Sequence, residues 1–181
     1  MTEEEDLIQR CRQDDRKAQN LLFNIYEKKV LAVSIRYTSS IDEAKDIQQE
    51  AFIKVFNHLK SNVIEILSLE KWIIRITVNT AIDYFRRQKR IENFNDQFLF
   101  PVAEQPVVLD QLKEEELIAM IQQIPDPYRL IFNLYIVEGY SHKEIATMVN
   151  IEESTSRSYL TRAKDFLKSK LTQPENKKGY G

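Results

Sequence analysis

Apolar positions recur every three to four residues along most of this chain, with polar positions between them, which predicts helix nearly throughout. The spacing predicts helices over 7–16 and 18–37, with Leu21, Leu22, Ile25, Tyr26, Val30, Leu31 and Val33 in a core. A third helix, 41–58, opens with acidic Asp42 and carries Ala44, Ile47, Ala51, Phe52, Val55, Phe56 and Leu59 as its stripe. The pattern breaks over 60–65 and resumes over 69–90. Between 91 and 109 helical spacing disappears, and Asn93, Asn95, Pro101 and Pro106 enter, as in an irregular tether; Phe94, Phe98, Leu99 and Phe100 make it more apolar than a purely solvated one. Helices then return over 110–123 and after Pro125-Asp126-Pro127, and stop near Gly139. With no strand pattern and no internal repeat, the expected fold class is all-α: two small helical domains, 1–90 and 110–173, a flexible linker over 91–109 and a frayed tail from 174 to 181.

The segment 141–171 has the form of a helix-turn-helix. Ser141 and Glu144 stand in capping-box spacing, Ile145, Ala146 and Val149 recur at helical intervals, and Asn150 tolerates the left-handed conformation that ends a helix. The helix that follows has Leu160, Ala163, Phe166 and Leu167 for a core, which leaves Arg157, Ser158, Thr161, Arg162 and Lys164 on or near its outer face. Such a face suits a major groove, where cations meet phosphates or guanine and hydroxyls meet base edges. An ordinary amphipathic hairpin with a solvated basic face fits the same spacing.

A second polar strip lies on the helix over 69–90. Its large polar residues, Lys71, Arg75, Asn79, Asp83, Arg86 and Arg90, step by four or three, and almost everything else on it is apolar. Together with Tyr84 and Arg87, this strip suits single-stranded nucleic acid, where cations track the backbone and rings or amides engage unstacked bases. Taken by itself, it reads first as the solvated face of a helix, because most charged stripes serve only solubility.

Charge sharpens the picture. The net charge of −2 argues against a nucleic-acid binder until the distribution is considered, because Arg86, Arg87, Lys89 and Arg90 form one dense positive cluster and Arg157, Arg162, Lys164, Lys168 and Lys170 another. Three glycines and the absence of a long apolar run or cleavable leader predict a cytoplasmic protein with no stable membrane insertion. Cys11 is single, so no internal disulfide forms, and beside Arg10 and Arg12 it is expected as an exposed or half-buried helix residue with no redox role. His58 and His142 are far apart, no histidine–carboxylate group has metal spacing and no glycine-rich phosphate loop exists; no metal, cofactor or catalytic residue is expected.

The order of these parts resembles that of the extracytoplasmic-function (ECF) sigma factors of the sigma-70 family, over nearly the whole chain. Asp46, Gln49, Glu50, Phe52 and Lys54 match the family's Asp-x-x-Gln-Glu-x-Phe-x-Lys pattern. The resemblance implies that Asp46, Gln49, Glu50 and Phe52 grip the clamp helices of the largest subunit of RNA polymerase. Trp72, Arg75, Ile76, Asn79, Ala81, Asp83, Tyr84, Arg86 and Arg87 match the segment that lines the melted −10 element, which with Lys71 implies a −10 surface of Lys71, Arg75, Asn79, Asp83, Tyr84, Arg86 and Arg87. Pro125, Tyr128, Arg129 and the run from Glu138 to Ala146 match the fourth sigma domain, and the implied −35 contacts are Lys143, Arg157, Ser158, Thr161 and Arg162.

On this resemblance 1–90 is sigma domain 2 and 110–173 is sigma domain 4, and the chain directs core polymerase to promoters and assists melting. Core RNA polymerase and promoter DNA, duplex and melted, are its partners, with an anti-sigma factor as a further possible one. Three departures bear on structure: Phe56 stands in place of a frequent Trp, and Glu152 stands where the family often has a Ser cap and Ser156 where it often has an apolar residue, so the recognition helix is expected to be less firmly seated. The competing functions are a stand-alone helix-turn-helix regulator of duplex DNA and a helical adaptor that binds protein only.

Overall fold

The computed structural model describes residues 2–61, 66–88 and 114–172. The predicted linker, the tail, Lys89 and Arg90, the first residues of the helix predicted from 110 and residues 62–65 of the loop over 60–68 lie outside them. The chain divides into two compact units, Met1–Gln88 and Lys89–Gly181.

In the first unit α1 (Glu3–Arg12), α2 (Arg16–Tyr37), α3 (Ile41–Ser61) and α4 (Leu69–Arg87) pack on one another. Caps decide where α1 and α2 start. The Thr2 side chain accepts from the Glu5 N–H and the Glu5 carboxylate accepts from the Thr2 N–H, so α1 begins four residues earlier than apolar spacing predicts. It also ends earlier, because Asp14 turns to φ +63° and Asp15 caps α2, accepting from the Lys17 N–H at 2.8 Å. The other Asp15 oxygen accepts from Arg10 Nε and Nη2 at 2.9 and 2.7 Å, tying the two helices together.

Leu7, Ile8, Leu22, Val30, Val55, Leu59 and Ile73 are among the residues that form the core. Three residues of α2 expected in the core are not buried there; Leu31 is half-buried. Leu21 and Ile25 are half exposed, because Leu22, Tyr26, Val30, Val33 and Tyr37 already fill the inner face of α2 and their neighbours fall about 100° away. They line a surface groove with Leu7 and Leu69, rimmed by Glu3, Glu4 and Asp6. Cys11 is a correction in the opposite direction: it is buried, and burial pushes its thiol up to about 11, which leaves it protonated and inert.

In the second unit α5 (Glu114–Gln123) and α6 (Asp126–Phe132) lead into a π-helical turn, Asn133–Val137, followed by α7 (His142–Val149) and α8 (Glu153–Thr172). Arg129 organises the α5–α6 corner. Its guanidinium is buried, donates to the backbone carbonyls of Gln122 and Ile124 at 2.6 and 3.0 Å, and pairs with Asp126, so the carbonyls left over at the end of α5 are satisfied by a side chain. The Asn133 Nδ2 group then donates to the Arg129 carbonyl at 3.1 Å where the ladder widens to π, and Gly139 at φ +78° closes the turn. No described helix is long and apolar enough to cross a membrane.

Candidate nucleic-acid and protein interface

Helix α4 is built to expose one strip. Ile73, Ile76, Val78, Ala81, Ile82 and Phe85 are buried, and the hydroxyls of buried Thr77 and Thr80 donate to the carbonyls of Ile73 and Ile76 at 2.9 and 2.8 Å, which satisfies them within the helix. Lys71, Arg75, Asn79, Arg86 and Arg87 are exposed, and Asp83 and Tyr84 half-buried. Trp72 packs against the core, edge-on to His58 with centroids 6.5 Å apart.

On α3, Asp46 and Gln49 are exposed and Glu50 is half-buried. Phe52 is a correction. It is 4% exposed, packed against Phe23 at 4.7 Å between centroids and against Phe56 at 6.2 Å, and its place on the inner side of α3 follows from the helical period that turns Asp46 and Gln49 outward. Phe52 therefore packs α3 onto the core and offers almost no accessible surface in the free chain. Phe56, in the position of the family's Trp, completes this aromatic row.

Glu50 and Lys54 point toward α4. Lys54 Nζ lies 2.9 Å from Asp83 and 3.2 Å from Glu50, and Glu50 accepts from Arg87 through both oxygens at 2.9 and 2.5 Å. Hydrogen bonds from Arg87 and then Lys54 hold the Glu50 carboxyl below its ordinary range, and Glu50 raises the Arg87 guanidinium in turn. Lys71, Arg75 and Arg86 make no ion pair with a described residue. Spacing shows half of this network, since Glu50 and Lys54 stand at i,i+4; the cross-helix half is a tertiary contact.

The helix-turn-helix forms as its caps predict. Ser141 and Glu144 make both capping-box bonds, and Asn150 ends α7 in the left-handed conformation at φ 59°, ψ 54°. Leu160, Ala163, Phe166 and Leu167 are buried, with Arg157, Ser158, Thr161, Lys164 and, on α7, Lys143 exposed; Arg162 is half-buried. Arg157 pairs with Glu153 one turn back.

Ser156 does not loosen α8, contrary to the expectation from its polarity. It is fully buried and hydrogen-bonded to His142 Nδ1 at 2.9 Å, and the Tyr135 ring stacks on that imidazole with centroids 4.4 Å apart, so a satisfied polar pair replaces apolar packing. Neither residue signals this alone, because fourteen residues separate them.

Burial, followed by the charges of Arg157 and Lys164 against that of Glu153, lowers the His142 pKa from its ordinary 6.5. The unfolded chain therefore takes up this proton first, so the contribution of neutral His142 is complete above pH 6.5 and is lost as pH falls through the lowered folded value. Thermal melts of the second unit are expected to shift down on acidification below pH 6.5, and His142→Gln should flatten that dependence. An unchanged pH profile in the variant would remove His142 as its source.

Among the described residues no group of three or more His, Cys, Asp or Glu side chains is placed to hold a metal ion. Residues 22–91 match Sigma-70 region 2 and residues 114–167 match Sigma-70, region 4. The chain is 30% identical to the RNA polymerase sigma-H factor of Pseudomonas aeruginosa, over 96% of this chain and 97% of that protein. It is 31% identical to the ECF RNA polymerase sigma-E factor of Haemophilus influenzae, over 91% and 93%. A solved structure it resembles is the sigma factor RpoE of Bartonella quintana in complex with the anti-sigma factor NepR, at 20% identity, 86% and 98% coverage and a TM-score of 0.49.

Proposed function

The chain belongs to the sigma-70 family as an ECF-type RNA polymerase sigma factor, and from that premise we propose how its surfaces divide the work. The outer face of α3, with Asp46, Gln49 and Glu50, docks on core RNA polymerase in the cytoplasm. The α4 strip, with Lys71, Arg75, Asn79, Tyr84 and Arg86, receives the separated strand of the −10 element, and α8 enters the major groove of the −35 element with Arg157, Ser158, Thr161 and Arg162, Lys143 reaching the flanking backbone. Sigma domain 2 is then 1–90, sigma domain 4 is 110–173, and 91–109 spans between promoter elements. The anti-sigma partner implied by the resemblance belongs to the same proposal. No side chain is given a catalytic part.

One observation carries this division: beside a largely buried α4, Lys71, Arg75 and Arg86 stay exposed with Asn79, three cations that make no ion pair with a described residue and an amide. An ordinary surface helix exposes about half its circumference. A buried helix that keeps one narrow cationic and amide-bearing line has the form needed to follow a single phosphate backbone beside unstacked bases. Neither a stand-alone duplex-DNA regulator nor a protein adaptor needs a second, single-strand surface or a Sigma-70 region 2.

Transcription by purified core polymerase on a random promoter library, with and without this chain, tests the function and returns the recognised bases. Within that assay Asn79→Ala is expected to lower open-complex formation while sparing assembly. Arg162→Ala is expected to weaken −35 binding by about 1–3 kcal/mol if the guanidinium makes a bidentate base contact. Unchanged strand opening in the first variant would reduce the α4 strip to a solvated face; unchanged −35 selection in the second would remove Arg162 from readout.

A further inference from the structure

The polymerase-facing helix and the nucleic-acid strip meet in one ion network. Glu50 on α3 receives both Arg87 donors, and Lys54, one turn along, bridges Glu50 to Asp83 in the middle of the α4 strip. Arg87 sits at the basic end of that strip, yet it is ion-paired in the free chain, while neighbouring Arg86 makes no ion pair with a described residue. A carboxylate that fills both of its oxygens with one guanidinium has little left to offer an incoming cation, and a guanidinium so paired attracts phosphate weakly.

We propose that Glu50 is a shared acceptor that couples the two surfaces: when cationic groups of core polymerase engage Glu50, Arg87 is released to a phosphate of the separated strand. Lys54 is the positioning residue of this device, holding Glu50 and Asp83 in place while Arg87 leaves. The inference rests on the assignment of α3 to polymerase and α4 to melted DNA made above. Linkage makes it reciprocal, since a phosphate that takes Arg87 frees Glu50 for polymerase by the same factor. Its size follows from exposure. Arg87 is 55% and Glu50 29% exposed, so solvent screens the pair and the coupling is a bias of about two- to five-fold, not a lock.

The test uses the full chain and a short fluorescein-labelled single-stranded DNA of mixed sequence, followed by anisotropy across a salt series. Glu50→Gln is expected to tighten binding by the free chain about two- to five-fold and to steepen the salt dependence by about 0.7 in log–log slope, the signature of one more neutralised phosphate. In an Arg87→Gln background the same change should give neither effect. Asp42→Asn, which removes a charge from exposed α3 without touching Arg87, controls for general electrostatics.

Gains of equal size with and without Arg87, or an equal gain from Asp42→Asn, would overturn the coupling, and so would absence of binding by every variant. Arg75→Ala in the same assay separates the two levels. If it weakens binding while the Glu50–Arg87 cycle is flat, the α4 strip stands and only the coupling falls; if it too is silent, the strip assignment has failed.

Discussion

Asp46→Lys is expected to abolish stable assembly with core polymerase while leaving the chain folded. Asp46 is exposed on α3, one turn before Glu50, and no ion pair with a described residue depends on it, so folding stability should move by no more than about 0.5 kcal/mol. Acidic Asp46 in the proposed interface calls for a basic partner surface, and placing an ammonium against such a surface replaces attraction by repulsion. A penalty of about 3 kcal/mol is roughly a hundredfold loss of affinity. Measured by titration of core polymerase with labelled wild-type and variant chains, assembly at wild-type strength would remove α3 from the interface. Residual helix-turn-helix binding to duplex DNA should be untouched, which distinguishes this outcome from misfolding.

Arg129→Ala is expected to destabilise the second unit by about 3–5 kcal/mol, a large share of what a domain of this size has. The guanidinium is 1% exposed, and its loss would take a donor from the carbonyls of Gln122 and Ile124 and a cation from the Asp126 carboxylate, and open a cavity under α6. Arg129→Lys should recover little, because one ammonium cannot span two carbonyls and a carboxylate in the planar geometry of a guanidinium. The chain offers its own internal control. Its single tryptophan, Trp72, packs in the first unit, so tryptophan fluorescence should melt as in the wild type while part of the far-ultraviolet helical signal is lost at lower temperature. Coincident, unshifted transitions by both probes would show that Arg129 is not the latch of the α5–α6 corner.

Elements governed by near neighbours along the chain are legible in the amino-acid sequence alone. The Ser141–Glu144 box, the Asn150 turn and the inward set Leu160, Ala163, Phe166 and Leu167 all depend on spacing of three or four residues or on one backbone conformation. The α4 strip is legible for the same reason. Expectations fail where a second helix arbitrates. Leu21 and Ile25 are as apolar as Leu22, and only the width of the face that α3 and α4 present to α2 excludes them. Thr2 and Asp15 set the ends of α1 and α2 away from the expected positions because caps act outside the apolar periodicity that marks a helix.

The sequence by itself determined that this is an all-helical sigma factor of sigma-70 type, with a helix-turn-helix and one cationic, amide-bearing line on α4, because helical period, capping chemistry and motif order are all local properties of the chain. Only the tertiary structure decided that Ser156 completes a bond to His142 and that Glu50, Lys54, Asp83 and Arg87 form one network. These contacts join residues up to 37 positions apart, at distances set by how helices pack, and no period within a single helix encodes which side chain a neighbouring helix will bring to it.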